Sequence, residues 1–496
     1  MDVVYTSTRD ASVRVSASQA ILKGLSDDGG LFVPVALPKF DRTLEEFAGM
    51  DYKGVAYEVM KLLLSDFTEE ELKYCIDHAY DDKFDTDEIA PLSEAEGRYF
   101  LELYHGKTIA FKDMALSILP HLMITAARKN HVTHEIVILT ATSGDTGKAA
   151  LAGFADVPGT KIIVFYPKNG VSPIQERQMV TQKGDNTFVF GIHGNFDDAQ
   201  SGVKKIFSDK ELAAVMDKAG YQFSSANSIN IGRLVPQIVY YVYAYSRLVA
   251  NDRIHAGDKV NFVVPTGNFG NILAAYYAKQ MGLPVNKLIC ASNSNKVLCD
   301  FFDTGEYDRN REFILTTSPS MDILISSNLE RLIYKITGED AARTKAFMGQ
   351  LTSTGRYTIT PDMREKLADF YGNFATEEED AAEIRHMFDD AGYLIDTHTA
   401  VASCVYSKYV KETGDKTPSV IASTASPFKF TRSVLHAIRP DEELKGDDLD
   451  LADELSSISG VPVPKAVSEL RTAEVRHTAV VDGSKMKEAV EKTLGL

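Results

Sequence analysis

A unit made of an apolar strand, a glycine loop and a helix occurs twice in the middle of the chain, and it constrains the fold more than any other feature. The first copy has the apolar run EIVILT at 135–140, a loop, an alanine-rich helical segment and the run KIIVFY at 161–166. The second has VNFVVP at 260–265, a helical segment at 271–281 and another strand at 287–291. Apolar strands that alternate with helices are typical of right-handed βαβ units. We therefore predict an α/β fold with a buried parallel sheet.

Flanking segments follow a different pattern. The pattern of residues 1–95 predicts a helical N-terminal domain. Within it, Thr43-x-x-Glu46 and Thr68-x-x-Glu71 match the capping box that begins a helix. The stretch from about 302 to 390 is again polar and helical. Further strands are expected at 99–104, 187–191 and 420–423.

Composition excludes several classes of protein. The 496 residues include 53 basic and 70 acidic side chains, and the net charge of −17 argues against nucleic acid or anionic lipid as a partner. The four cysteines are far apart, so we expect reduced thiols, with neither a disulfide framework nor a metal site. The start of the sequence lacks a signal-peptide pattern, and no apolar window is long enough for a membrane span. These features predict a cytoplasmic protein without a membrane partner.

Lys112 lies in the segment LELYHGKTIAFKDMA at 101–115, between an apolar strand and a helix. A lysine beside an aromatic residue at such a junction is partly desolvated, which lowers its pKa and favours a neutral amine able to form a Schiff base. A solvated lysine at a helix start is the commoner case for an isolated residue. The segment alone leaves that alternative open.

The loop TGNFGN at 266–271 joins a strand to a helix. Free amide groups at a helix start bind anions, and Gly267 and Gly270 would let the backbone approach a phosphate closely. The spacing is not Gly-x-Gly-x-x-Gly, so a monophosphate is a better ligand than a dinucleotide. A plain tight turn is the alternative.

Three other segments carry hydroxyl or cationic groups next to predicted strands or helices. The loop ATSGDTG at 141–147 could hold a carboxylate or a phosphate, or simply cap a helix. The segment NSINIGR at 227–233 combines Asn, Ser and Arg, which can surround a dianion, although a capped helix with a surface arginine fits as well. The segment ASTASPFK at 422–429 follows a strand, where open α/β sheets bind ligands, but a simple turn is equally compatible.

Taken in order, these segments resemble threonine synthase of the longer bacterial and fungal type. The resemblance spans nearly the whole chain, from YTSTR at 5–9 and DGGLFVP at 28–34 to DTHTA at 396–400 and STASP at 423–427. It implies the fold-type II architecture of pyridoxal-phosphate enzymes, with two three-layer α/β domains of parallel sheets and a helical N-terminal domain. The implied core is 96–430, with a smaller domain at about 130–250 inserted in the larger one, a helical insertion at about 302–390, and a C-terminal extension at 431–496 that packs on the core.

The resemblance also implies residue roles. Lys112 would carry pyridoxal phosphate and, once free, take the Cα proton of the substrate. The hydroxyl of Thr424 would face the pyridine nitrogen of the cofactor. The remaining roles are those of the cofactor-phosphate cradle (Gly267, Asn268, Phe269, Gly270, Asn271), the substrate carboxylate (Thr142, Ser143, Gly144, Asp145, Thr146) and the substrate phosphate (Asn227, Ser228, Arg233).

The implied reaction converts O-phospho-L-homoserine and water to L-threonine and phosphate, the last step of threonine biosynthesis, by a carbon–oxygen lyase that is a monomer or homodimer. Two residues depart from the family pattern: Lys107 replaces a proline and Ser426 replaces a histidine. A related phospho-lyase that releases phosphate and 2-oxobutyrate is the closest alternative. A non-catalytic paralogue is less consistent with Lys112 beside an intact glycine loop, and a dehydratase would not need the phosphate subsite at 227–233.

Overall fold

The computed structural model describes residues 2–142 and 144–496, with only the backbone described at Asp197. Its strands are β1 (Tyr5–Ser7), β2 (Phe32–Pro34), β3 (Leu92–Ala95), β4 (Arg98–Glu102), β5 (Glu135–Ala141), β6 (Thr160–Pro167), β7 (Thr187–His193), β8 (Tyr221–Ser224), β9 (Val260–Pro265), β10 (Val285–Ser292), β11 (Glu306–Asp308), β12 (Arg356–Thr358), β13 (Phe370–Phe374), β14 (Ser419–Ser423) and β15 (Val480–Asp482). 

Its α-helices are α1 (Ala17–Lys23), α2 (Leu44–Ala48), α3 (Tyr52–Leu63), α4 (Glu69–Ala79), α5 (Asp113–Leu116), α6 (Leu119–Lys129), α7 (Asp145–Phe154), α8 (Pro173–Val180), α9 (Phe196–Phe207), α10 (Lys210–Lys218), α11 (Ile231–Ala250), α12 (Gly270–Met281), α13 (Val297–Thr304), α14 (Leu329–Ile336), α15 (Ala341–Thr354), α16 (Pro361–Glu365), α17 (Glu377–Asp389), α18 (Thr397–Thr413), α19 (Thr431–Ile438), α20 (Asp448–Ser459), α21 (Lys465–Ser468) and α22 (Met486–Leu494). None of these helices is long and apolar enough to cross a membrane.

The larger sheet has the strand order β13-β10-β9-β14-β4-β3. Its strands pair in parallel, except that β3 and β4 form an antiparallel hairpin. Every residue of β9 is buried, as expected for a strand covered by helices on both faces. The strands expected at 99–104, 260–265, 287–291 and 420–423 are confirmed, with small shifts at their ends.

The smaller sheet has the order β15-β7-β6-β5-β8, and all its neighbours are parallel. Its strands include the predicted apolar runs at 135–140 and 161–166 and the strand at 187–191. The structure thus confirms an α/β class with two parallel sheets and a helical N-terminal region. The division of the chain into domains stays a prediction.

The four edge strands of the two sheets (β3, β8, β13 and β15) were missed by the sequence patterns. Residues 370–374 fall in the stretch predicted to be helical, yet they form β13 and pair with β10. Gly372 and Asn373 interrupt the apolar pattern there, and a Cβ at Gly372 would lie only 3.0 Å from the side chain of Phe302. β15 comes from the C-terminal extension and joins the smaller sheet through three residues, too few to leave a periodic signal.

Helix α11 packs on α2, α3 and α12. Its residues lie within the range 130–250 that is predicted to form the smaller domain. Almost all of its 20 residues are buried, because it lies between the N-terminal helices and the larger sheet. The N-terminal helices begin as predicted, with capping boxes at Thr43 and Thr68.

A buried arginine connects three parts of this core. Arg331 in α14 is fully buried, and its Nε donates to the carbonyl oxygen of Phe32 (3.0 Å) in β2. Its Nη2 donates to the carbonyl oxygen of Ile229 (2.6 Å), just before α11, and its Nη1 bonds Asn328. Arg331 therefore connects α14 to the N-terminal region and to the segment just before α11.

We expect Arg331→Ala to lower the free energy of unfolding by about 3–5 kcal/mol, because it leaves buried carbonyl groups without a donor and opens a cavity. Denaturant unfolding would measure this. The control is Arg128→Ala, since the Arg128 side chain is 68% exposed. Equal stability of the two variants would contradict a structural role for Arg331.

Candidate active site

Lys112 lies immediately before α5, in the loop that follows β4. The loop is held against the end of β14, because the amide of Phe111 donates to the carbonyl oxygen of Thr424 (2.8 Å). The Nζ of Lys112 is 3.0 Å from the Oγ of Ser320 and 3.2 Å from Oδ2 of Asp145. Its side chain is 11% exposed. Burial lowers the pKa of this amine, and the negative charge of Asp145 only partly offsets that effect.

Asp145, the first residue of α7, faces the amine from the smaller sheet. Besides Lys112, its carboxylate accepts hydrogen bonds from Gln175 (2.8 Å) and Ser320 (3.0 Å), and its Oδ1 lies 3.0 Å from the Nζ of Lys429. Burial alone would raise the pKa of Asp145, but Lys429 and Lys112 hold it well below its usual value. This side chain is therefore an anion surrounded by donors.

The assignment of Asp145 to the loop for the substrate carboxylate stays a prediction. Direct contact of the substrate carboxylate with the side chain of Asp145 is disfavoured, because two carboxylates would repel each other. The other residues of the loop are arranged differently. Thr142 is buried, and its Oγ1 accepts the amides of Gly144 and Gly147, both at 2.9 Å. Thr146 is half-buried in the first turn of α7. Ser143 lies outside the described residues.

The loop at 266–271 has the features of an anion site. Gly267 is required, because a Cβ there would lie 2.5 Å from the carbonyl oxygen of Ser320. Phe269 has the left-handed φ of 65°, which turns the chain into α12. The carbonyl oxygens of Gly267 and Asn268 accept hydrogen bonds from Ser326 and Asn328. Within the described part of the chain, the amide groups of 267–271 donate to no protein acceptor.

Asn271 connects this loop to α11. Its Oδ1 accepts the hydroxyls of Tyr240 and Tyr241 (2.6 Å), whereas its buried Nδ2 has no partner among the described residues. Gly270 sits nearby, since a Cβ there would lie 3.8 Å from Gln237 of α11. One turn earlier on the same helix is Arg233. The glycine loop and the start of α11 are therefore neighbours.

The segment at 227–233 ends in the first turn of α11. Arg233 is 3% exposed, and its Nη1 donates to the carbonyl oxygen of Ala226 (3.0 Å). Burial lowers the pKa of Arg233 to about 10. Its Nε and the Oγ of Ser228 are buried without a partner among the described residues. Asn227 is exposed, and its Oδ1 accepts the amide of Ser228 (2.8 Å).

Several residues of the site were not identified from the sequence. Ser320 belongs to a stretch that carries no recognisable motif, and Gln175 is an ordinary helix residue. Lys429 ends the segment ASTASPFK, which the sequence indicates as a possible ligand site, but the sequence assigns no role to this lysine. Of the two departures from the family pattern, Lys107 is exposed, and Ser426 caps the short turn Pro427–Lys429 that carries Lys429.

Comparison with known proteins gives the class. Three family models match in order: "Threonine synthase N terminus" over 4–80, "Pyridoxal-phosphate dependent enzyme" over 88–424 and "Threonine synthase, C-terminal" over 399–492. The chain therefore belongs to the pyridoxal-phosphate dependent enzymes, and the predicted fold-type II architecture is confirmed. Within that class, it belongs to the threonine synthase family.

Individual relatives agree with this membership. Threonine synthase from Saccharomyces cerevisiae is 33% identical over 98% of this chain and 99% of its own length. The structure of PLP-bound threonine synthase from Brucella melitensis superposes with a TM-score of 0.86 at 34% identity, covering 99% of this chain and 98% of that one. Threonine synthase-like 1 from Homo sapiens is 40% identical over 87% of this chain. The chain spans 60% of the length of that relative.

Gly267→Ala tests the glycine loop. The added methyl group would meet the backbone of Ser320 at 2.5 Å and push the free amides out of place. At about 1–3 kcal/mol for such overpacking, we expect cofactor binding to weaken about tenfold or more. Titration of the cofactor-free protein with pyridoxal phosphate would measure it. Gly349→Ala, on a helix where a Cβ meets nothing within 4 Å, is the control and should bind normally.

His105, in the loop that leads from β4 to Lys112, generates a pH prediction. Its ring is flanked by Asp85 (2.5 Å) and Glu102 (2.9 Å). Burial disfavours the charged ring, but these two carboxylates raise the pKa of His105 to about 9. A pKa raised in the folded state adds stability that is complete below pH 6.5 and is lost as the pH rises through about 9.

We therefore expect His105→Gln to lower the free energy of unfolding at pH 6 by an amount on the order of 2–3 kcal/mol. The difference from the wild type should shrink as the pH rises through about 9. Denaturant unfolding at several pH values would show it, with the exposed His255→Gln as the control. A difference that does not change with pH would contradict the assigned charge.

Proposed function

We propose that this protein converts O-phospho-L-homoserine and water to L-threonine and phosphate. The observation that carries the proposal is the buried amine of Lys112, which lies against Asp145 and Ser320. Ser320 also borders the glycine loop, so a reactive amine and an anion site lie on two sides of one residue. The order of the three family matches further supports it.

The residues present fit pyridoxal phosphate. The free amides of 267–271 and the positive end of α12 suit a phosphate group. Lys112 is buried and has a lowered pKa, as a lysine that forms a Schiff base requires. Thr424, beside the Lys112 loop, would offer its hydroxyl to the ring nitrogen. When bound, the cofactor supplies an electron sink for the negative charge that develops on the substrate carbons.

Lys112 is the proposed base for the Cα proton. Burial favours its neutral form, which can accept a proton. Once protonated, the ammonium has two acceptors in place, because Oδ2 of Asp145 and Oγ of Ser320 both lie within 3.2 Å. Asp145 therefore stabilises the protonated form of Lys112 and holds the amine in position.

The start of α11 is the proposed site for the substrate phosphate. Arg233 uses one of its five N–H donors within the described residues, so its remaining donors can bind a dianion. The unpaired hydroxyl of Ser228 adds a donor beside it, and Asn227 would line the entrance. Buried polar groups without partners are uncommon, and their clustering here indicates a ligand.

The substrate carboxylate would bind at the start of α7. The amides of Asp145 and Thr146 in that first turn have no acceptor among the described residues, and Thr146 adds a hydroxyl beside them. Thr142 shapes this turn by accepting the amides of Gly144 and Gly147. Ser143 keeps its proposed role in the same loop. Asp145 contributes through its backbone, while its side chain serves Lys112.

We further propose that the protein acts in the cytoplasm, as a monomer or a homodimer. All four cysteines are free thiols. Burial raises the pKa of Cys290 to about 12 and that of Cys75 to about 11, so neither is readily oxidised as a thiolate. Such thiols suit a reducing compartment.

Lys112→Ala tests the proposal directly. We expect the visible absorbance of the bound cofactor to disappear and the formation of threonine from O-phospho-L-homoserine to fall about 10³-fold or more, because the base is lost. Product identification by chromatography, with phosphate release in parallel, would measure it. Lys107→Ala, which removes an exposed lysine of the same loop, is the control and should stay active.

The products of the reaction and the absorbance of the cofactor distinguish the alternative functions. Phosphate together with 2-oxobutyrate would replace the proposed activity with that of a phospho-lyase. Absence of a visible band after addition of pyridoxal phosphate would instead make the chain a non-catalytic relative.

A further inference from the structure

Lys429 is a second buried lysine in the site, and no role has been assigned to it so far. It ends the turn Pro427–Lys429 after β14, and its side chain is 0% exposed. Its Nζ donates to the carbonyl oxygen of Thr108 (2.8 Å) and lies 3.0 Å from Oδ1 of Asp145. A fully buried ammonium is costly unless it is paired, so this contact with Asp145 constrains both residues.

Asp145 is shared between two lysines. Its Oδ1 faces Lys429, while its Oδ2 faces Lys112 and Ser320. The single negative charge of Asp145 is therefore paired with two lysine side chains. The positive charges of Lys429 and Arg233 therefore disfavour the protonated form of Lys112 and lower its pKa.

The opposite side of Asp145 is fixed as well. The amide of Ser320 donates to Nε2 of His398 (3.2 Å), and Nδ1 of His398 bonds Oδ2 of Asp396 (2.8 Å). His398 and Asp396 are both buried. Ser320 is therefore held in place by His398, which fixes one of the donors to Asp145.

We propose that Lys429 is a positioning residue, whose ammonium holds the carboxylate of Asp145 and thereby sets both the place and the charge of the Lys112 amine. The proposal rests on the proposed function in one respect, namely that Lys112 is the reacting amine. Lys429 itself touches neither Lys112 nor the glycine loop in the contacts described.

The charges around Lys112 favour this role over simple packing. Burial lowers the pKa of Lys112, and Lys429 and Arg233 lower it further, against the opposing charge of Asp145. Asp113 and Lys148 are the other ionisable groups near Lys429. Burial lowers the pKa of Lys148 to about 7, and Lys429 contributes in the same direction. Removing the charge of Lys429 should therefore make Lys112 hold its proton more firmly.

Competitive labelling tests this on the full-length chain freed of cofactor. Only the neutral form of an amine reacts with acetic anhydride, so the rate of Lys112 acetylation against pH, read by peptide mass spectrometry, reports the proton on Lys112 itself. We expect Lys429→Met to shift this profile to higher pH by about one unit, which is about a tenfold slower reaction near neutral pH. Lys429→Arg, which keeps the charge, should stay near the wild type.

Two further variants complete the design. Lys129→Met removes a lysine that pairs with Glu71 outside the site and should leave the profile unchanged. Asp145→Asn should shift it to lower pH, because it removes the anion that favours the ammonium. This second shift tests whether the Asp145 carboxylate controls the proton on Lys112, a premise on which the role of Lys429 depends even where Lys429→Met fails to fold.

An unchanged profile in folded Lys429→Met, or in Asp145→Asn, would overturn the inference. Threonine formation is measured separately. If the Lys429→Met profile is shifted but the wild-type protein forms no threonine, the proposed function is rejected and the role of Lys429 stands. In an active enzyme, the pH dependence of kcat/KM should move in the same direction as the labelling profile.

Discussion

The carboxylate of Asp145 is the interaction on which the site depends. It belongs to α7 of the smaller sheet, whereas its two ammonium partners, Lys112 and Lys429, follow strands β4 and β14 of the larger sheet. A buried carboxylate is stable only with such partners, so the two sheets must meet where the three charges meet. The same contact gives the buried Lys112 amine an acceptor, and it partly offsets the lowering of the Lys112 pKa by burial.

Parallel sheets explain why so many functional groups gather here. Strands β4, β9 and β14 are neighbours in the larger sheet, and the loops after their carboxyl ends carry Lys112, the glycine loop and Thr424. Strand β5 of the smaller sheet ends at the loop before Asp145. Open α/β sheets bind ligands at the carboxyl ends of their strands, and two such edges meet in this chain. Helix starts at α7 and α12 then supply free amides on either side of the amine.

Much of this was predictable because it is local. The run VNFVVP predicted β9 at its exact bounds, and the capping boxes at Thr43 and Thr68 predicted two helix starts. The edge strands β13 and β15 were not predictable, since each is stabilised mainly by its pairing with a distant partner. The ion pairs of Asp145 with Lys112 and Lys429 were not predictable either, because the sequence does not show which cations a carboxylate faces.

The sequence by itself determined the α/β class and the family, because strand periodicity, loop glycines and helix caps depend on neighbouring residues. It also predicted Lys112 as the reactive lysine. Only the tertiary structure decided how the charges are shared. Lys112, Asp145, Ser320 and Lys429 come from four separate segments. Burial together with the neighbouring charges shifts the pKa values of Lys112 and Asp145. Desolvation and Coulomb interactions depend on distance in space, which the order of residues along a chain does not contain.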